Sequence, residues 1–335
     1  MSGRARLVGA TFGLFVAGGL GADAYLKFGV DVGGRTEVLR WQRLPVPYVV
    51  NPQGVDGVTG EQFAEALRRA FAKWQAVATA AVGFEFAGFG SAEPGVEDGV
   101  TVLGFDARPE LDRVLGATSY TMDTRTGEVV EADVFFNARF PWSVAPGGEP
   151  GRFDLESVAL HEAGHVCGLG HSALGETELR AGGGRRVVAS GAAMFPIAFT
   201  AGNIDGRSLR ADDVAGVSDI YPDAGFRAAT GSVSGRVTKG GRGVFGAHVV
   251  AFNLETGALV GNFSLDADGA FAIAGLEPGP TVLRVEPLDD AELDSFFGDV
   301  SRVDVDFRVT FHERILAVPR GGGVSGITVA VASKP

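Results

Sequence analysis

Apolar residues recur at helical spacing after Thr59. Phe63, Leu67, Ala70, Phe71, Trp74 and Val77 fall on one stripe, the pattern of a helix that faces a core. Thr59 and Gln62 form a capping box at its start, and Glu61, Glu65, Arg68, Arg69 and Lys73 take the solvent side. Upstream, residues 41–51 hold a short apolar strand, Pro47-Tyr48-Val49-Val50, closed by Asn51-Pro52. Downstream, strand-like runs recur around residues 83–86, 100–105, 116–121 and 129–136, separated by Gly, Asp and Pro. Asp154 is placed to cap a second helix through Leu155, Val158, Ala159, Glu162 and Val166. A third helix is expected from Ser208, with Asp212 and Asp213 in its first turns, where negative charge suits the helix dipole. It runs to Ile220-Tyr221 and stops at Pro222.

Past residue 225 the period changes. Short β runs at residues 232–238, 247–253, 259–265, 270–273, 281–286, 316–318 and 326–331 are divided by turns such as Gly240-Gly241 and Glu255-Thr256-Gly257. The expected architecture is therefore an α+β unit over residues 25–225, a mixed sheet packed with helices. An all-β antiparallel sandwich over residues 231–335 follows it.

Composition narrows the picture. The formal net charge of −12 argues against a nucleic-acid partner and for a soluble protein. Of the 29 basic residues only Lys27, Lys73, Lys239 and Lys334 are lysines, a bias that suggests a bacterial source. Residues 1–24 read as a signal peptide: Arg4 and Arg6, an uncharged run at residues 7–22, then Ala22-Asp23-Ala24 as a cleavage motif. That run is shorter than the ~20 residues a spanning helix needs, and no other segment is long and apolar enough. The expected protein is secreted, extracellular or periplasmic, with no membrane attachment after cleavage. Cys167 is the only cysteine, so no intrachain disulfide can form.

Candidate chemistry concentrates at residues 161–171, His-Glu-Ala-Gly-His-Val-Cys-Gly-Leu-Gly-His. On a helix, His161 and His165 lie one turn apart on one face, so both imidazoles can reach one metal at about 2.0–2.1 Å. Glu162 is angled so that its carboxylate meets a water on the metal rather than the metal itself. Gly168 can end the helix in a left-handed conformation, which lets the chain turn back and present His171 as a third ligand. Three protein ligands leave a fourth position open, as a catalytic zinc site requires. Cys167 points away from the ligand face and reads as a small buried residue. His248 and His312 read as surface or edge histidines of the second unit.

These residues resemble the metzincin zinc peptidases, whose signature is H-E-x-x-H-x-x-G-x-x-H followed by a Met-turn. Ala192-Ala193-Met194-Phe195-Pro196 supplies that turn, and Ser172 after the third histidine makes the chain most similar to the matrixins. Arg40-Trp41, Pro47-Tyr48-Val49, Ala70-Phe71 with Trp74, residues 131–137 and residues 212–221 extend the likeness. The resemblance implies that His161, His165 and His171 bind zinc and that Glu162 is general base and then general acid. Met194 would floor the site without ligating. Leu115, Gly116, Ala117, Thr118 and Ser119 would form the edge strand that binds extended protein or peptide substrates by strand addition. The implied activity is internal peptide-bond hydrolysis. Two rivals are a degenerate surface or binding protein acting through its sandwich and a zinc enzyme acting on a non-peptide bond. The family's Cys-based latency and second, structural zinc site have no counterpart residues here. Asp-rich loops are candidates for calcium, with no ligands assigned. Residues 182–186 read as part of a mobile insertion near the cleft. Gly235-Arg236-Val237, Asp268-Gly269-Ala270-Phe271 and Leu276-Glu277-Pro278-Gly279 resemble the carboxypeptidase regulatory-like, transthyretin-like sandwiches, which implies an accessory unit of unknown ligand.

Overall fold

The computed structural model describes residues 4–9, 27–32 and 35–335. From residue 10 onward the apolar leader run and the Ala22-Asp23-Ala24 motif lie outside the described residues. Among the described residues no helix is long and apolar enough to cross a membrane.

The N-terminal region is built on one mixed sheet. Along the chain come β1 (Arg4–Gly9), the hairpin strands β2 (Gly29–Val32) and β3 (Arg35–Val38), and β4 (Val46–Val50). They are followed by β5 (Phe84–Phe89), β6 (Val102–Asp106), β7 (Gly116–Asp123) and β8 (Glu128–Asn137). The sheet order is β1-β7-β8-β6-β4-β5. Its β5-β4-β6-β8 part is parallel, and β7 returns antiparallel to β8. In β4 the side chains of Val46, Tyr48 and Val50 are buried and alternate with less buried neighbours, as the pleat requires. Contrary to an open edge along β7, β1 pairs antiparallel with it from Thr118 to Asp123, opposite Gly9 to Arg4.

Two helices pack against each other beside this sheet. Helix α1 (Gly60–Gln75) carries the expected capping box, with Glu61 in its first turn and Lys73 in its last. Its stripe of Phe63, Leu67, Ala70, Phe71 and Trp74 is fully buried. The expectation that Arg69 and Lys73 merely face solvent needs correction. Both reach across to the buried carboxylate of Glu156 on helix α2 (Leu155–Val166), Arg69 at 2.7 Å. Their charges hold Glu156 below its usual range despite its burial. Asp154 caps α2 by accepting from Ser157 N at 2.9 Å. Trp74 Nε1 donates to the Leu160 carbonyl at 2.9 Å. That close approach depends on Gly164, where an added Cβ would sit 2.2 Å from Met194 Sδ and 2.7 Å from Trp74 Cζ2.

Helix α3 (Ala211–Ile220) begins later than Ser208, because the Asp213 carboxylate accepts from Arg210 N at 2.7 Å and fixes the first turn there. Residues 182–186, expected in an insertion, belong to the end of a hairpin between Gly175–Leu179 and Arg185–Ser190.

The C-terminal region is β-rich, with strands close to each expected run and additional short pairings at Arg242–Gly243 and Thr310–Phe311. Two sheets share one core: Val233, Val237, Phe271 and Ile273 from the first meet Val249, Ala251, Leu283 and Val285 from the second. The pairing is not wholly antiparallel, since Gly323–Val331 runs parallel to Gly231–Lys239. A long connection, rather than a hairpin, delivers that last strand and leaves its direction free.

The two regions meet in an apolar cluster that joins Ala173, Val187 and Phe195 to Phe245, Phe263, Leu288, Phe296 and Phe297. At the same junction Asp212 of α3 accepts from Gly261 N at 2.8 Å. His248, expected at the surface or an edge, is buried here, bonded to Glu286 at 3.0 Å and stacked on Phe263. It sits on a central strand, between Leu259–Phe263 and Gly279–Glu286, so both its neighbours cover it. His312 is exposed.

Gly164→Ala gains helix propensity of about 1 kcal/mol but overpacks a site whose indole is fixed by a hydrogen bond, which costs about 1–3 kcal/mol. A net loss on denaturant unfolding is expected, and a stabilised variant would contradict the packing argument. Burial, reinforced by the neighbouring Asp213 charge, raises the Asp212 carboxyl to about 7. Unfolded Asp titrates near ~3.9. As pH rises between those values, the folded state keeps a proton that the unfolded state has lost, so stability falls by up to about 1.4 kcal/mol per pH unit. Asp212→Asn should therefore gain on the wild type from about pH 4 to 7 and hold a constant difference above. Equal slopes in denaturant titrations across that window would refute it.

Candidate metal centre

Helix α2 carries His161, Glu162 and His165 on adjoining positions of its last two turns. The helix stops because Gly168 takes φ +92°, and an added Cβ there would lie 2.4 Å from the Leu39 carbonyl oxygen. Only glycine meets both demands. The chain then turns back and brings His171 to the pair. The ring centroids stand 4.7 Å (His161–His165), 4.9 Å (His165–His171) and 5.3 Å (His161–His171) apart. One ligand atom from each lies within 4.8 Å of the other two.

Each imidazole is oriented by a backbone carbonyl. His161 Nδ1 meets Ala193 O at 2.8 Å, His165 Nδ1 meets Leu169 O at 2.8 Å and His171 Nδ1 meets Ser295 O at 2.7 Å. A carbonyl can only accept, so every Nδ1 must carry the proton. Each Nε2 is left with its lone pair free to ligate. Burial lowers the proton affinity of all three rings, the neighbouring histidines lower that of His165 and His171 further, and His171 is driven down to about 3. Three neutral, preoriented nitrogens with no carboxylate or thiolate among them are a donor set suited to zinc.

Glu162 is buried beside the triad, and burial raises its carboxyl to about 8, partly opposed by the Thr118 hydroxyl that donates to Oε2 at 2.9 Å. Thr118 lies on β7, and Tyr120 two residues on donates to the His165 carbonyl. The sheet and the helix are thereby locked at the site. Met194 lies under α2 against Gly164, and its turn is held from below: Asp213 accepts from Ala193 N at 2.8 Å and Met194 N at 3.1 Å. Cys167 is fully buried and its thiol is pushed far up by that burial, which leaves it inert as a nucleophile.

The three histidines and Glu162 line a cleft of about 690 Å³. Leu115, Gly116 and Ala117 form one flank, and Phe140, Phe153, Val158, Ile197 and Phe199 add an apolar wall. Ser119 is paired with Val8 of β1. The opposite side is unexpected: Glu292, Asp294 and Ser295 of the C-terminal region line the same cleft as Arg180 and Arg185 of the hairpin. Sequence reasoning named the triad and Glu162, which line one cleft with Leu115, Gly116 and Ala117, and Met194, which lies under α2. It missed Asp213 as the clamp of the Met194 turn, because first-turn acids are common on helices. Ser295 left no signal at all, since only its carbonyl takes part.

Comparisons with known proteins bear on this arrangement. The chain is 30% identical over 196 residues to metalloendoproteinase 1-MMP of Arabidopsis thaliana, a match covering 54% of this chain and 44% of that protein. It is 30% identical over 173 residues to metalloendoproteinase 4-MMP of the same plant, covering 46% and 38%. The chain thus spans less than half the length of either relative. Among solved structures, the minor pilin GBS52 of Streptococcus agalactiae shares 14% identity at a TM-score of 0.21, covering 32% of this chain and 46% of that one. The major pilin subunit BcpA of Bacillus cereus shares 12% at 0.22, covering 32% and 31%. Scores this low carry no structural argument. The Matrixin family model matches residues 40–179, and the histidine triad with Glu162 therefore lies inside a stretch similar to a metallopeptidase family.

Proposed function

We propose that this chain is a secreted, zinc-dependent endopeptidase of matrixin type. Its peptidase domain would span residues 25–225, and a carboxypeptidase regulatory-like sandwich would follow over residues 231–335. The observation that carries the reading is the convergence of three histidines, each with Nδ1 tied to a carbonyl, around a cleft that also holds the buried carboxylate of Glu162. The donor set fits zinc, with His161, His165 and His171 as the ligands. Zinc supplies, when bound, polarisation of the scissile carbonyl and a lowered pKa, towards ~7, for the attacking water.

The chain's own groups do the rest. Glu162 takes a proton from the attacking water as the new C–O bond forms, then returns it to the amine nitrogen as the C–N bond breaks. The Thr118 hydroxyl, donating to Oε2 at 2.9 Å, holds this carboxylate in place beside the triad and partly opposes the rise that burial imposes on it. Leu115, Gly116 and Ala117 offer backbone groups to an extended peptide, while the Phe140–Phe153–Phe199 wall accepts an apolar side chain.

Glu162→Gln should retain zinc and the wild-type melting temperature while cleavage of unfolded casein falls by roughly 10²–10⁴-fold. Cleavage at the wild-type rate by this variant would sink the assignment of Glu162. Stripping the metal with a chelator should abolish wild-type cleavage, and stoichiometric zinc should restore it. A wild-type protein that retains no zinc, by elemental analysis after dialysis, would remove the basis of the whole reading.

A further inference from the structure

The three carbonyls that orient the triad come from different places. Leu169 follows His165 on the same turn, and Ala193 belongs to the Met194 turn beneath it. The third, Ser295, lies in the C-terminal region, 124 residues from His171. We propose that this region is a working part of the metal centre, with the main-chain carbonyl of Ser295 as the positioning group for His171. The inference rests on the zinc reading above and extends it to a part of the chain that looks like a detachable accessory in sequence.

Several independent ties hold that carbonyl in place. Ser295 ends a short 3-10 turn, Leu293–Ser295, closed by Ser295 N donating to Glu292 O at 3.0 Å and Phe296 N donating to Leu293 O at 3.0 Å. The next residue, Phe296, is 1% exposed and packs on Phe263, with ring centroids 5.6 Å apart. On the other side, Asp290 accepts from Thr177 N at 2.6 Å, and its carbonyl accepts from Thr177 Oγ1 at 2.8 Å. The hairpin after His171 and the turn that holds His171 are thus bound to each other. Unlike His161 and His165, His171 lies beyond the end of α2, on the chain that follows Gly168. The Ser295 carbonyl fixes both its ring orientation and its Nδ1–H tautomer. Partners of this kind set metal affinity by roughly 10–100-fold in histidine sites.

The test uses the full chain, with zinc affinity measured by chelator competition and the His171 tautomer read from ¹⁵N–¹H correlations of the metal-free protein. Ser295→Pro removes the N–H that closes the turn and forces Asp294 out of helical backbone, so the carbonyl shifts while no core side chain changes. It should weaken zinc binding at least ~10-fold and erode the Nδ1–H signal of His171. Ser295→Ala keeps the turn and should bind zinc as the wild type does. Phe296→Leu loosens the same turn from the core side and should weaken zinc in the same direction, whereas Phe307→Leu, in the other core of that region, should leave it unchanged. Wild-type affinity and an intact Nδ1–H signal in both Ser295→Pro and Phe296→Leu overturn the inference, as does equal weakening by Ser295→Ala or Phe307→Leu. A wild type that binds no zinc overturns the metal reading itself, and the two failures are thereby distinct.

Discussion

A neutral imidazole has two nitrogens and one proton, and a metal can use only the nitrogen without it. Three such rings offered to one ion must therefore all adopt the same tautomer and aim the same atom inward. In this protein backbone carbonyls of Ala193, Leu169 and Ser295 meet that demand, each accepting from an Nδ1. Much of the surrounding architecture keeps those carbonyls in place. Gly168 turns the chain so that Leu169 can serve His165. Asp213 clamps the turn that contains Ala193. The aromatic packing of Phe296 and Phe297 on Phe263 fixes the residue that follows the third.

The adjacent carboxylates of α3 show how one short helix serves two neighbours. Asp213 faces the Met194 turn and satisfies three backbone N–H groups there and at its own helix start. Asp212, one position earlier, accepts instead from Gly261 of the C-terminal region. Burying two carboxyls side by side raises both, a cost the backbone donors only partly offset. The arrangement persists because removing either acceptor would leave buried N–H groups without a partner.

How much of this was legible in the sequence depended on whether local chemistry decided the outcome. The α1 stripe with its Thr59–Gln62 box, the Asp154 cap and the Gly168 reversal are all set by residues within a turn or two of each other, and the structure places them as the sequence implies. The triad was legible because its spacing is itself a local constraint. What escaped was tertiary. Nothing near His248 in sequence announces that strands cover it on both sides. Lys73 and Arg69 sit at positions that helical periodicity assigns to solvent, yet a buried carboxylate of α2 comes within their reach. The pairing of β1 on β7 and the parallel return of Gly323–Val331 join segments far apart in the chain. Residues 287–309 lack a regular period, so their 3-10 turns left no pattern from which to infer a role.

The cluster formed by Ala173, Val187, Phe195, Phe245, Phe263, Leu288, Phe296 and Phe297 draws its members from both sides of residue 225, where the change of period suggests a boundary. A core shared in this way belongs to neither region alone. Its disruption exposes large apolar side chains on both, so each region loses stability when the other opens. The boundary visible in the sequence is therefore one of strand pattern and not of packing: the two regions share a core as they share the orientation of the histidine triad.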